Sequence, residues 1–195
     1  TEEGLNRYDG IMIKSYSICP QAAGKYISSL YGTKKNIWIG TDEGIYIYAY
    51  ATETFTYFDL TTPNNVRITS IVNHILQDKD GNLWFSTNGQ GLFRYNLSKN
   101  YLEQYEFTSA FGIVASTMAD SDNQIWALTN QGESGVYKLN KAENKFEPFG
   151  LLYNAGNHHS QALAMLEDSE QTLWLGTWEC GLQKIDKYTR QTTTY

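Results

Sequence analysis

Residues Asp80–Asn96 read DGNLWFSTNGQGLFRYN, and close relatives of this phrase recur along the chain. The Asp80-Gly81 pair is turn chemistry between two alternating apolar runs, which is a hairpin signature. Four tryptophans mark the recurrences: Trp38, Trp84, Trp126 and Trp174, in NIWIGT, NLWFST, QIWALT and TLWLGT, at intervals of 46, 42 and 48 residues. An apolar residue stands before each (Ile37, Leu83, Ile125, Leu173), and a threonine follows three places later (Thr41, Thr87, Thr129, Thr177). Gly44-Ile45, Gly91-Leu92, Gly135-Val136 and Gly181-Leu182 then open another alternating run. Upstream of each tryptophan an apolar run ends near Leu30, Leu76, Met118 or Leu166, and an aromatic-rich run (TFTYFDL, LEQYEF, KFEPF, QTTTY) closes each unit. Each repeat therefore holds four strands.

A unit of about 40 to 50 residues with four antiparallel strands is the blade of a β-propeller. Both faces of such a sheet need cover, neighbouring blades supply it, and the tryptophan is the large wedge between them. Ten places before each tryptophan stand Ser28, His74, Ser116 and Ala164, mostly small, as crowding near a ring axis requires. The opening TEEGLNRYD matches TDEGIYIYA from Thr41, so the chain starts on the last two strands of a blade. The expected division is 1–16 for those two strands and 26–59, 71–107, 113–149 and 161–195 for four blades. The fold expected is all-β, an open arc of about four and a half blades rather than a closed ring, cut from a longer chain. Its exposed first edge is disposed to pair with a second copy as a homodimer.

Composition limits the function classes. The formal charge is -6, with 15 basic residues scattered without a run, so nucleic acid is not an expected partner. No apolar stretch approaches the roughly 20 residues of a membrane span, so this segment is not membrane-inserted, and TEEGLNRYDG lacks the regions of a signal peptide. Cys19 and Cys180 have no metal-like spacing and read as two unpaired thiols, the alternative being a disulfide or a reactive role. Neither a metal nor another cofactor is expected.

The phrases QDKDGNLWFSTNGQGLFRYN and EDSEQTLWLGTWECGLQKID resemble the two-component regulator propeller repeat, and the likeness covers nearly the whole chain. Ser86 and Leu128 depart from the glycine found at Gly40 and Gly176, and YGTKKNIW lacks the acidic residue before its turn. The resemblance implies the periplasmic sensor region of a hybrid two-component histidine kinase, responding to carbohydrate or polysaccharide fragments. It also implies further propeller blades and a kinase in a longer parent chain.

In a propeller, the loops between second and third strands and those between blades open on one face, where ligands are expected. The loop after the threonine holds two residues in the first full blade, three in the second, five in the third and three in the fourth. Trp178 lies in the last of these beside Glu179; the pair either stacks and hydrogen-bonds a sugar or packs on a neighbouring blade. Asn157, His158 and His159, joining the third and fourth blades, form either a ligand contact or an ordinary polar loop. Arg67 either meets an acidic sugar or makes a surface salt bridge. His74 reads as a structural histidine. Asp78, Asp80, Asp120, Asp122 and Asp168 recur at hairpin turns, where aspartate bonds its own backbone, which explains them without calcium. The Asn96-Leu97-Ser98 sequon carries no weight in a bacterial reading. Three classes stand: an oligosaccharide sensor segment, a protein-binding or structural scaffold, and an enzyme. The third is disfavoured because no Gly-x-Ser-x-Gly elbow or histidine signature occurs and the carboxylates sit in turns.

Overall fold

Every alternating run forms a strand in the computed structural model, which describes residues 4–17, 26–107, 112–129, 135–151, 161–178 and 181–195. A hairpin of β1 (Leu5–Tyr8) and β2 (Ile13–Tyr16) comes first. Blade I comprises β3 (Ile27–Gly32), β4 (Asn36–Thr41), β5 (Gly44–Ala49) and β6 (Thr54–Tyr57). Blade II comprises β7 (Val72–Gln77), β8 (Leu83–Thr87), β9 (Leu92–Asn96) and β10 (Tyr101–Tyr105). Blade III comprises β11 (Val114–Ala119), β12 (Ile125–Thr129), β13 (Gly135–Asn140) and β14 (Lys145–Leu151). Blade IV comprises β15 (Ala162–Glu167), β16 (Leu173–Thr177), β17 (Leu182–Ile185) and β18 (Thr192–Thr194). Within each blade consecutive strands pair antiparallel, and the first strands β3, β7, β11 and β15 lie against one another in succession.

The first two strands of every blade slip by one residue, between Ile27 and Ser29, Val72 and His74, Val114 and Ser116, and Ala162 and Ala164. A bulge bends a strand and raises its twist, and a bend at each inner strand suits sheets that converge on an axis. The register corrects one expectation. His74, Ser116 and Ala164 pair with Ser86, Leu128 and Gly176, and the residue in that place in blade I, opposite Gly40, is Ser29 rather than Ser28. The first hairpin of blade I is one residue shorter, so counting back from Trp38 overshoots by one.

Burial follows the interfaces. One core cluster joins the β1–β2 hairpin to blade I, and others join I to II, II to III and III to IV. Among the described residues none joins blade IV to the first hairpin, and the sheets form an open arc of four blades and a half. Trp38, Trp84 and Trp126 are wedged between their own blade and the next. Blade IV presents the corresponding face to solvent. The residues that open the third strands of blades I to III, Ile45, Leu92 and Val136, are at most 1% exposed, whereas Leu182 is 43% exposed.

Candidate functional site

The two ends of the arc differ in construction. At the loop end the recurring threonine closes the connection between second and third strands. Its hydroxyl donates to the carbonyl of the glycine that opens the next strand, in Thr41 to Gly44 (3.1 Å), Thr87 to Gly91 (2.7 Å) and Thr177 to Gly181 (2.9 Å). Gly91 has φ 76° there, and an added Cβ would lie 2.3 Å from the Tyr105 carbonyl oxygen, so a side chain is refused twice over. Gln90, at the tip of the blade II loop, clamps the connection between blades I and II. Its Oε1 accepts the N–H groups of Thr69 (2.9 Å) and Ser70 (3.0 Å), and its Nε2 donates to the Arg67 carbonyl (2.9 Å). A hollow of about 160 Å³ opens beside it, lined by Gly89, Gln104, Glu106 and Gly112.

Arg67 lies at this end and pairs with Asp59 at 2.7 Å, both half exposed, as a surface ion pair. Trp178 is 71% exposed, and its backbone N–H donates to the Gln161 carbonyl at 2.9 Å. Glu179, Asn157, His158 and His159 lie outside the described residues, as do Cys19 and Cys180. The structure thus brings Arg67 and Gln90 together at the junction of blades I and II, with Trp178 on blade IV.

Along the axis, the inner strands of blades II, III and IV line a cavity of about 450 Å³. His74 faces it, and its Nδ1 accepts the Thr117 N–H at 3.4 Å. Burial holds the imidazole below its ordinary value. Asn73 at the bulge donates to the Val114 carbonyl at 2.9 Å, tying blade II to blade III.

At the opposite end the aspartates do more than cap turns. Asp78, Asp120 and Asp168 accept the backbone N–H of Asn82, Gln124 and Thr172 on one oxygen, at 2.8, 2.8 and 2.9 Å. Their other oxygen accepts the indole N–H of Trp84, Trp126 and Trp174, at 2.8, 3.0 and 2.7 Å. The Trp174 indole and the Thr172 N–H hold the Asp168 carboxyl below the usual range. For Asp120, burial pushes upward but is outweighed by the Trp126 indole, the Gln124 N–H and the Lys187 charge, and the carboxyl is lowered. Lys187 is 3% exposed and spans the interface of blades III and IV, reaching Glu167 at 2.7 Å, Asp122 at 2.9 Å and Asp120 at 3.5 Å. Burial alone would lower its pKa, but the bonds to Glu167 and Asp122 and the Asp120 charge raise it above the ordinary lysine value. Sequence reasoning passed over Lys187 and Gln90, since a single lysine or glutamine in a polar turn carries no periodic signal. No group of three or more potential metal ligands occurs among the described residues.

Two solved extracellular domains of putative hybrid two component systems from B. thetaiotaomicron superpose on 99% of this chain. One has a TM-score of 0.82 and the other 0.77, each at 22% identity. The chain spans 25% and 27% of their lengths. Virginiamycin B lyase from Staphylococcus aureus superposes on 88% of the chain, and 55% of the lyase is covered, with a TM-score of 0.67 and 18% identity. These likenesses fix the propeller fold. No curated protein matches the chain. Residues 65–89, running from the blade I–II connection through the Trp84 strand, match the model of the two component regulator propeller. That matched phrase is similar to the two component regulator propeller, and it is the one repeated around Trp38, Trp126 and Trp174.

Proposed function

We propose that this chain is an extracytoplasmic, periplasmic sensor segment of a hybrid two-component system, without catalytic activity, that responds to carbohydrate and signals to a histidine kinase. The observation that carries the reading is the superposition of 99% of the chain on two sensor ectodomains, of which it would be about a quarter. The unpartnered face of blade IV supports the longer parent chain: Leu182 repeats the position of three residues that a following blade buries. No helix among the described residues is long and apolar enough to cross a membrane.

Under this reading the ligand acts only through different affinities for two arrangements of the receptor. Rigid blades favour tilting of whole sheets over local refolding. The loop face, with Trp178, Glu179, the 157–159 connection and Arg67, is the expected contact surface for ligand or for the adjoining part of the receptor. The test is a reporter strain carrying the complete receptor, challenged with a panel of neutral and acidic oligosaccharides. Induction by one sugar class that disappears with the receptor gene supports the reading. Indifference to every sugar, with a defined protein captured by the ectodomain, replaces it with the scaffold reading.

A further inference from the structure

The turn end repeats one socket at successive blade interfaces, and one of the two copies is filled while the other stands open. Lys141 and Lys187 are equivalent, each five residues after the residue opening the third strand, Val136 or Leu182. Asp78 and Asp80 of blade II likewise correspond to Asp120 and Asp122 of blade III. Between blades III and IV, Lys187 fills the socket because Glu167 of its own blade adds a third carboxylate. Between blades II and III the position of Glu167 is taken by Ala119, seven residues before Trp126 as Glu167 is before Trp174. Without that acceptor Lys141 turns back on its own blade and donates to the Asn123 carbonyl at 2.7 Å.

What remains is a cavity of about 150 Å³ lined by Asp78, Asp80, Asn82, Trp84, Leu139 and Lys141, among others. Asp78 and Asn82 form its inner wall, 7% and 9% exposed, and Asp80 stands at the mouth, one oxygen holding Asn123 Nδ2 at 2.8 Å. Arg94 caps the wall with its charge spoken for: it pairs with Glu103 at 2.5 Å and lies over the rings of Trp84 and Tyr105. The volume equals about five waters at roughly 30 Å³ each. It has carboxylates that accept, an ammonium that donates, and an apolar wall.

We infer that this cleft between blades II and III binds one ring of a neutral sugar. Hydroxyl groups donate to Asp80 and accept from Lys141, and a polyol brings both functions on adjacent carbons of one ring. A carboxylate-bearing sugar is repelled by Asp78 and Asp80. The inference deepens the carbohydrate reading above and rests on it for the ligand class, but it assigns the site to the turn end instead of the loop face.

The test is a titration of the isotope-labelled chain with glucose, galactose and N-acetylglucosamine, with glucuronate as comparison. The readouts are the Trp84 indole N–H and the Asn82 side-chain amide resonances. Saturable shifts of both with a neutral sugar, weakened tenfold or more by glucuronate substitution, by Asp80→Asn and by Ala119→Glu, are expected. Ala119→Glu restores the third carboxylate, draws Lys141 into the socket and plugs it, while the exposed Asp80→Asn change leaves folding alone. Trp178→Ala leaves the shifts unchanged. Absence of saturable shifts with every neutral sugar, or equal binding by wild type and both variants, overturns the inference. A receptor that still responds to sugar in the reporter strain with Ala119→Glu and Asp80→Asn retains the sensor reading and loses this site.

Discussion

Trp38 follows Thr33 by five residues on a turn one residue shorter than its counterparts, and its buried indole N–H has no acceptor. Thr33 occupies the place of Asp78, Asp120 and Asp168: its hydroxyl accepts the Asn36 N–H at 3.0 Å but has no second oxygen for the tryptophan. The cross-strand partner differs too, since Trp38 faces Ile47 where Trp84, Trp126 and Trp174 face Arg94, Lys138 and Lys184. Aromatic packing on Phe58, Phe85 and Tyr95 replaces both polar contacts.

Thr33→Asp is therefore expected to stabilise the chain by about 1 kcal/mol, the net worth of a hydrogen bond to a charged acceptor less its desolvation. In a domain of this size that is a rise in Tm of about 2–4 °C. A downfield move of the Trp38 indole proton would accompany it; an unchanged resonance would show that the carboxylate does not reach.

Lys187→Met leaves Asp120 and Glu167, 2% and 9% exposed in their side chains, without their cation. Breaking a buried pair from one side costs about 3–5 kcal/mol. Thermal denaturation should show the loss, and adding Glu167→Leu to the same chain should recover part of it, because one stranded carboxylate is then gone.

The pH dependence has two acid limbs. His74 has its folded value lowered by burial, so the unfolded chain binds more protons as pH falls through about 6.5, and stability declines there. The axial cavity it lines presents Asn73, Ser116 and Thr117 and no carboxylate to offset that charge. Asp120 and Asp168, also lowered, contribute stability above about pH 4 that is lost below it. Lys187, raised, contributes below about pH 10.5 and loses its effect as pH climbs through its folded value. Melting curves between pH 5 and 8 should slope upward in the wild type and flatten with His74→Gln.

How much of this was legible beforehand differs by feature. The blade period could be read from four tryptophans because each is a wedge at a recurring interface, and the arc with its half blade at the start followed from TEEGLNRYD. The aspartates were legible as turn caps but not as indole acceptors, since the second role depends on how far the strand folds back. Ser28 was one place out because a four-residue turn and a five-residue turn look alike to a count. Of the loop-face residues, Arg67 and Trp178 can be placed, and the first already has an anionic partner in Asp59. The socket between blades II and III was not legible: it exists because Ala119 stands where blade IV has Glu167, a contrast that only equivalent three-dimensional positions expose.

Equivalent leucines test the unpartnered face. Leu92→Ala, at a fully buried site between blades II and III, should cost about 2–5 kcal/mol. Leu182→Ala, 43% exposed, should cost well under half as much in this chain. Equal losses in Tm for the two would mean that blade IV has a covering partner in solution.

Among the described residues the core clusters join each sheet only to its neighbours. Such a molecule behaves as a short stack of coins. Its stability is a sum over adjacent pairs, opening begins at the uncovered coin, and a push on one blade reaches a distant blade only by passing through every blade between them.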